Sequence, residues 1–228
     1  MLDDTKIKYV SSEERRRKSN TFIKDKGIAC LETLPLLEDS TQVKLKSLDD
    51  ICKRAVATLL AIQLACDIGE NNDYEESKQL FTKLLDKYGV KDELLDKEKR
   101  LFEGTYTMQD AIDVAWSYEA YWSLLWALGM VDDISYPSDI CDCEKAIKTV
   151  GDSKDYEEFV NKCHLRDIEE ILDMLDLYYR YHWACVEKQV NPDTPIGKLN
   201  DEVVMERRRG LEWLVSKEKD WNNISLDT

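Results

Sequence analysis

The chain has 228 residues, 43% of them hydrophobic and 35% charged, with only eight glycines and four prolines. Thirty-two basic against forty-seven acidic residues leave a formal charge of −15, which repels phosphate backbones and anionic lipid and so argues against nucleic acid and membrane surfaces as partners. The opening MLDDTKIKYV lacks the apolar stretch of a signal peptide, the longest apolar run (121–131) is too short to span a bilayer, and seven scattered cysteines lack the spacing of a disulfide framework. A cytoplasmic protein with reduced thiols is expected.

Ser11 and Ser12 can cap a first helix to about Lys26, with Gly27 just past its end. Its Arg15-Arg16-Arg17-Lys18 run, like Arg207-Arg208-Arg209 near the other end, reads as a solvated or ion-paired helix face. Pro35 keeps residues 28–37 extended or irregular, a minor edge strand at most. Ser47 to Asp50 resembles a capping box opening a helix with Leu48, Ile51, Cys52, Ala55, Leu59, Ile62 and Cys66 on one face and Arg54 beside Thr58, Ala61 and Ala65 on another. Asp73 starts a third helix that turns Leu80, Phe81, Leu84, Leu85 and Tyr88 inward and stops at Gly89; a short charged helix over 92–103 follows.

Thr107 to Asp110 caps the helix around which the rest is organised. Its stretch WSYEAYWSLLWALGMV (116–131) holds three of the six tryptophans, and an apolar surface all round predicts burial by other helices. Ile112, Ala115, Trp116, Trp122 and Trp126 share one side of it, with Glu119 among them. A buried carboxylate must be paired, hydrogen-bonded or protonated. Residues 132–153 form an irregular excursion with room for one short helix, the best candidate for a mobile lid.

A second unusual helix runs from Arg166 to about Lys188. Beside its apolar stripe of Ile168, Leu172, Leu175, Tyr179, His182 and Trp183, the residues Glu169, Asp173, Asp176 and Arg180 fall in a narrow arc at i, i+4, i+7 and i+11. Asn200 caps a last helix whose core face, Val203, Val204, Leu211 and Leu214, has Arg207 at its middle. The expected architecture is all-α: one globular domain over 1–228, of seven or eight helices around the Trp-rich one.

WSYEAYWSLLWALG, EEILDMLDLYYRYHWA, VVMERRRGLEWL and the terminal WNNISLDT, with Arg17-Lys-Ser19, Gly27-Ile28, Leu34-Pro35 and Asp50-Ile-Cys-Lys-Arg54-Ala, resemble the bacterial family called domain of unknown function 4272. The resemblance spans nearly the whole chain and implies no activity. It implies that the family keeps Arg54, Glu119, Glu170, Asp173, Asp176, Arg180, His182, Trp183, Glu206, Arg207, Trp213 and Asp227, and that Tyr118, Glu212 and Asn222 depart from its pattern.

The candidate polar centre is Arg54, Glu119, Glu169, Asp173, Asp176, Arg180, His182 and Arg207. One reading is a buried ion-pair network in which Glu119 faces Arg207 or Arg54 and Arg180 bridges Asp173 and Asp176. The other is a pocket whose carboxylates hold a cation or act as acid and base. Glu-x-x-His di-iron motifs are missing, since Trp122 follows Glu119 at that offset. Magnesium needs one or two carboxylates plus substrate phosphates, which Asp173 and Asp176 could supply. For zinc, Cys141, Cys143, Cys163 and His164 have a Cys-x-Cys spacing tighter than usual. His182 reads as a core histidine bonded to a carboxylate, and its turn-mate Cys185 is the nearest thiol for a nucleophile. No phosphate loop or nucleophile elbow occurs. The leading expectation is a domain acting through protein contacts, with no cofactor. The alternative is a magnesium-dependent phosphohydrolase or nucleotide-binding enzyme.

Overall fold

Local capping chemistry sets the helix boundaries. In a computed structural model describing residues 9–228, the side chains of Ser11, Ser47, Asp73, Thr107, Asp142, Asp155, Asp167 and Asn200 each accept a backbone N–H at the start of a helix, satisfying donors that the helix itself cannot. The expectation about a signal peptide rests on residues 1–8, outside the described ones. Nine α-helices and no strand occur among the described residues: α1 (Ser12–Asp25), α2 (Leu48–Gly69), α3 (Tyr74–Tyr88), α4 (Asp96–Glu103), α5 (Met108–Ala127), α6 (Cys143–Gly151), α7 (Tyr156–Lys162), α8 (Ile168–Val190) and α9 (Asp201–Val215). Single 3₁₀ turns occupy Lys91–Glu93 and Trp221–Asn223.

The fold is all-helical, and α7 takes the count past eight. That helix is seven residues long and buries only Phe159, too little periodicity to stand out in a sequence. Residues 28–37 form no strand; the Ala29 N–H donates to the Pro195 carbonyl at 2.7 Å, across to another loop.

Helix packing follows the order α3, α2, α5, α9, α8, α1, with α4 laid across α2 and α5 and α6 against α5. Helix α5 is the hub because α2 and α9 cover it from two sides. Gly210 makes the α9 crossing possible, since a Cβ there would lie 2.5 Å from the Ala120 carbonyl oxygen. At the end of α5, Gly129 adopts φ +73° beside the His164 carbonyl, a conformation and an approach that suit glycine.

Two burial expectations fail. Leu80 is 52% exposed because the inward stripe of α3 runs through Ser77, Phe81, Leu85 and Tyr88, one helical row away. Along α5, Trp122 and Trp126 are buried, but Ile112 is 46% and Met108 55% exposed. Among the described residues, no element covers these two side chains in the first turns of the helix.

Residues 132–153 run irregularly to α6 and are tied down where a lid would be free. Tyr178 donates to the Ile134 carbonyl at 2.6 Å, Tyr181 to Ser135 at 3.0 Å, Tyr121 to Ala146 at 3.0 Å and Tyr88 to Ser153 at 2.7 Å. Ile134, Cys141, Ala146 and Val150 are core residues. The Tyr178, Tyr181 and Tyr88 hydroxyls thus satisfy backbone carbonyls outside the helices, and Tyr121 ties α6 itself to α5.

Candidate functional site

Glu119 and Arg207 meet where α5 and α9 cross. Glu119 Oε2 accepts the Arg207 Nε–H at 2.8 Å, and Oε1 accepts the Cys141 N–H at 2.6 Å. Arg207 also donates from Nη2 to the Asp139 carbonyl at 3.1 Å, while Ser123 Oγ donates to the Arg207 carbonyl. Glu119 is 2% and Arg207 5% exposed. Burial works against the Arg207 charge, but Tyr178 and Glu119 outweigh it and hold the guanidinium protonated.

The remaining candidates do not join this pair; the seam on α8 divides in two. Asp176 and Arg180 close on each other within one helix face, at 2.8 and 2.7 Å, and each is 1% exposed. Arg180 therefore does not bridge to Asp173. Asp173 is bound instead by Arg15 Nε at 2.8 Å, and Glu169 by Arg15 Nη2 at 2.5 Å, because α1 packs along α8. Glu169 further accepts Ser40 Oγ and the Val10 N–H. Arg15, which its basic run presented as a surface residue, is 2% exposed.

Arg54 lies away from Glu119, on the α4 side of α2. It donates to Glu98 at 2.6 Å, to Thr58 Oγ1 at 2.8 Å and to the Glu93 carbonyl, with the Trp221 ring 5.3 Å from its guanidinium carbon. The partner Glu98 escaped sequence reading; it also accepts the Leu95 N–H at 2.7 Å.

His182 pairs with a guanidinium, not a carboxylate. Its Nδ1 lies 2.7 Å from Arg208 Nη1, and since a guanidinium only donates, Nδ1 accepts and the ring is neutral. Burial, then Arg208 and Arg209, push the His182 pKa down to about 4. Arg208 in turn is held by Glu212 at 3.2 Å and by the carbonyls of Leu226 and Asp227. It fastens the terminal segment, with Trp221 edge-on to Trp213.

Of the other positions that the resemblance singles out, Glu206 pairs with Arg209 at 3.1 Å, and burial raises its pKa against the pull of that arginine. Glu170 is exposed, 3.9 Å from Arg166.

The thiols do not assemble with His164. Cys143 Sγ donates to the Cys141 carbonyl, and Cys163 Sγ to Phe159, with Met130 Sδ 3.8 Å away. Burial pushes Cys185 up to about 12, so its thiol stays protonated. Among the described residues, no group of three or more His, Cys, Asp or Glu is placed to hold a metal ion, and none of the helices is long and apolar enough to cross a membrane.

Open space lies elsewhere. A cleft of about 500 Å³ between α5, α9 and the Trp221–Asn223 turn is lined by Lys97, Asp113, Trp116, Glu202, Glu206 and Arg209, among others. Lys97 and Asp113 are paired at 2.5 Å. On the other side of Trp116, an apolar hollow of about 200 Å³ is bounded by Ala115, Tyr118, Glu119, Ile140 and Cys143. A third cavity, of about 610 Å³, adjoins Arg54 and Trp213. Asp173, Asp176 and His182 line none of the three.

Comparison with curated proteins finds no match, and neither does comparison with solved structures. A family model described as a domain of unknown function does match, over residues 15–224, which takes in every buried ion pair described above. The chain belongs to the family Domain of unknown function (DUF4272).

Proposed function

We propose that this domain acts through protein contacts and that its buried charges serve the scaffold. The observation that carries the reading is the face of α5 left uncovered among the described residues, where Met108, Ile112 and the neighbouring Ile140 are 55%, 46% and 61% exposed. Clustered exposed apolar groups of this kind mark interaction sites. The former acidic centre supports it from the other direction, since Asp176, Glu169 and Glu119 each already hold an arginine. A carboxylate so occupied has little capacity left for a cation or a substrate proton.

A photo-crosslinking side chain at position 112 or 140, in cells producing the chain, is expected to give discrete protein adducts. The same group at Leu80 or Val190, exposed apolar positions elsewhere, is expected to give none. Equal labelling from all four, or none from 112 and 140, would overturn the reading. So would a rise in melting temperature with Mg²⁺ that Asp173→Asn abolishes, because a ligand that binds only the folded state stabilises it.

A further inference from the structure

The exposed Met108 and Ile112 and the half-buried Ala115 and Trp116 begin a continuous stripe on α5 that ends at the buried Glu119. Met108, Ile112, Ala115, Trp116 and Glu119 follow at helical spacing, spanning about 17 Å along the axis at 1.5 Å per residue. The hollow beside Trp116 continues it to Ile140 and Cys143, and Ile147, one turn further along α6, is 38% exposed. Glu119 lines the hollow but is spoken for by Arg207 and the Cys141 N–H, so the hollow is apolar in effect. Three helical turns of groove with a pocket near one end match the i, i+4, i+7 anchors of a docked amphipathic helix.

Charge selects the occupant. Glu202 lines the cleft beside Trp116, Asp139 and Asp142 immediately precede Ile140 and Cys143 of the hollow, and none of the three carboxylates forms an ion pair with Lys or Arg among the described residues. The nearby cations Lys97 and Arg209 are already bound to Asp113 and Glu206, and Lys145 sits with its ammonium 5.9 Å from the Trp122 ring centre. A second copy of this chain would bring another formal −15 to the contact, and such self-repulsion opposes association. Resting on the reading that the domain works by protein contacts, we infer that the α5 stripe receives a basic amphipathic helix of a partner protein. Its apolar side fills the hollow beside Trp116 and covers Ile112, and its lysines or arginines meet Asp139, Asp142 and Glu202.

The probe is a fluorescently labelled helical peptide of about 18 residues, leucine on one face and lysine on the other, with a glutamate-for-lysine counterpart. Anisotropy titration is expected to give saturable binding of the lysine peptide only, weakening several-fold between about 50 and about 300 mM NaCl. Ile112→Glu and Glu202→Lys, both at exposed positions, are expected to weaken binding at least about ten-fold each. Glu75→Lys and Leu80→Glu, which make the same changes on the exposed side of α3, are expected to leave it unchanged. No saturable binding, equal binding of the glutamate peptide, or equal losses from the α3 controls would overturn the inference. Adducts at positions 112 and 140 would in that event still support a protein contact of other chemistry; their absence would remove both.

Discussion

Arg207→Met tests whether the crossing of α5 and α9 depends on a closed charge pair. The substitution keeps the aliphatic stem and deletes the group that neutralises Glu119, a residue 2% exposed. Breaking a buried pair from one side costs about 3–5 kcal/mol, because the surviving charge is stranded. Glu119 retains the Cys141 N–H at 2.6 Å, which places the expected loss toward the lower end, about 3 kcal/mol. At a few degrees per kcal/mol for a chain of this size, the melting temperature falls by about 10 °C.

Urea unfolding followed by far-ultraviolet circular dichroism reads the loss directly. The second arm is Glu119→Gln in the same protein: glutamine still accepts from Cys141 but carries no charge. It is expected to recover about 2 kcal/mol of what Arg207→Met removed, a non-additivity of the size seen for groups in direct contact. A single variant within about 1 kcal/mol of the parent, or strictly additive effects in the double variant, would refute the claim that the charge is buried and bound.

Asp176→Asn strands Arg180, whose Nη1 has no partner among the described residues, and is expected to cost about 3 kcal/mol or more in the same unfolding assay. The neutral His182 gives an acid sensitivity of definite sign. Its folded pKa, about 4, lies below the ordinary histidine value of 6.5, so its contribution is complete above pH 6.5 and is lost as the pH falls toward 4. The full displacement corresponds to about 3 kcal/mol, discounted to about 2 for residual solvent access. His182→Gln should therefore flatten the stability difference between pH 7 and pH 4; an unchanged profile would contradict a neutral ring. Gly210→Ala gains about 1 kcal/mol of helix preference but forces a methyl to within 2.5 Å of the Ala120 carbonyl. Overpacking of that kind is expected to outweigh the gain and lower the midpoint. Gly151→Ala, with open space around the site, is expected to raise it.

What the residues disclosed before any coordinates was what is encoded locally. Ser47, Asp73, Thr107 and Asn200 could be assigned as caps because capping needs only a short side chain at one offset. The Glu119–Arg207 contact was within reach because each charge sits inside an otherwise apolar helix face, and two such faces must meet. Arg180 was expected to bridge Asp173 and Asp176, but it closes on Asp176 alone; Asp173 goes to Arg15 because α1 packs along that side of α8, a choice that tertiary packing makes. One signal went unused. Arg15 shares an i, i+4, i+8 row with Ser19 and Ile23, all three buried, so its place in a basic run concealed an inward-facing residue. The exposure of Ile112 was hidden for the opposite reason: periodicity marks an apolar face but not whether another element of the same chain covers it.

Ion pairs such as Glu119–Arg207 could be replaced by apolar side chains of similar size at little cost, so stability alone is a weak account of them. They are directional, however, and an arginine with fixed acceptors defines the position of the helix that carries it more sharply than apolar contact does. Arg207 holds α9 and the Asp139–Cys141 backbone to one side of α5, while Gly210 brings the two helices to backbone contact. The uncovered side of α5 is therefore presented on a support with little freedom to move. A partner docking there would spend little of its binding energy on ordering the surface it meets, and that is the advantage a buried clamp gives to an exposed stripe.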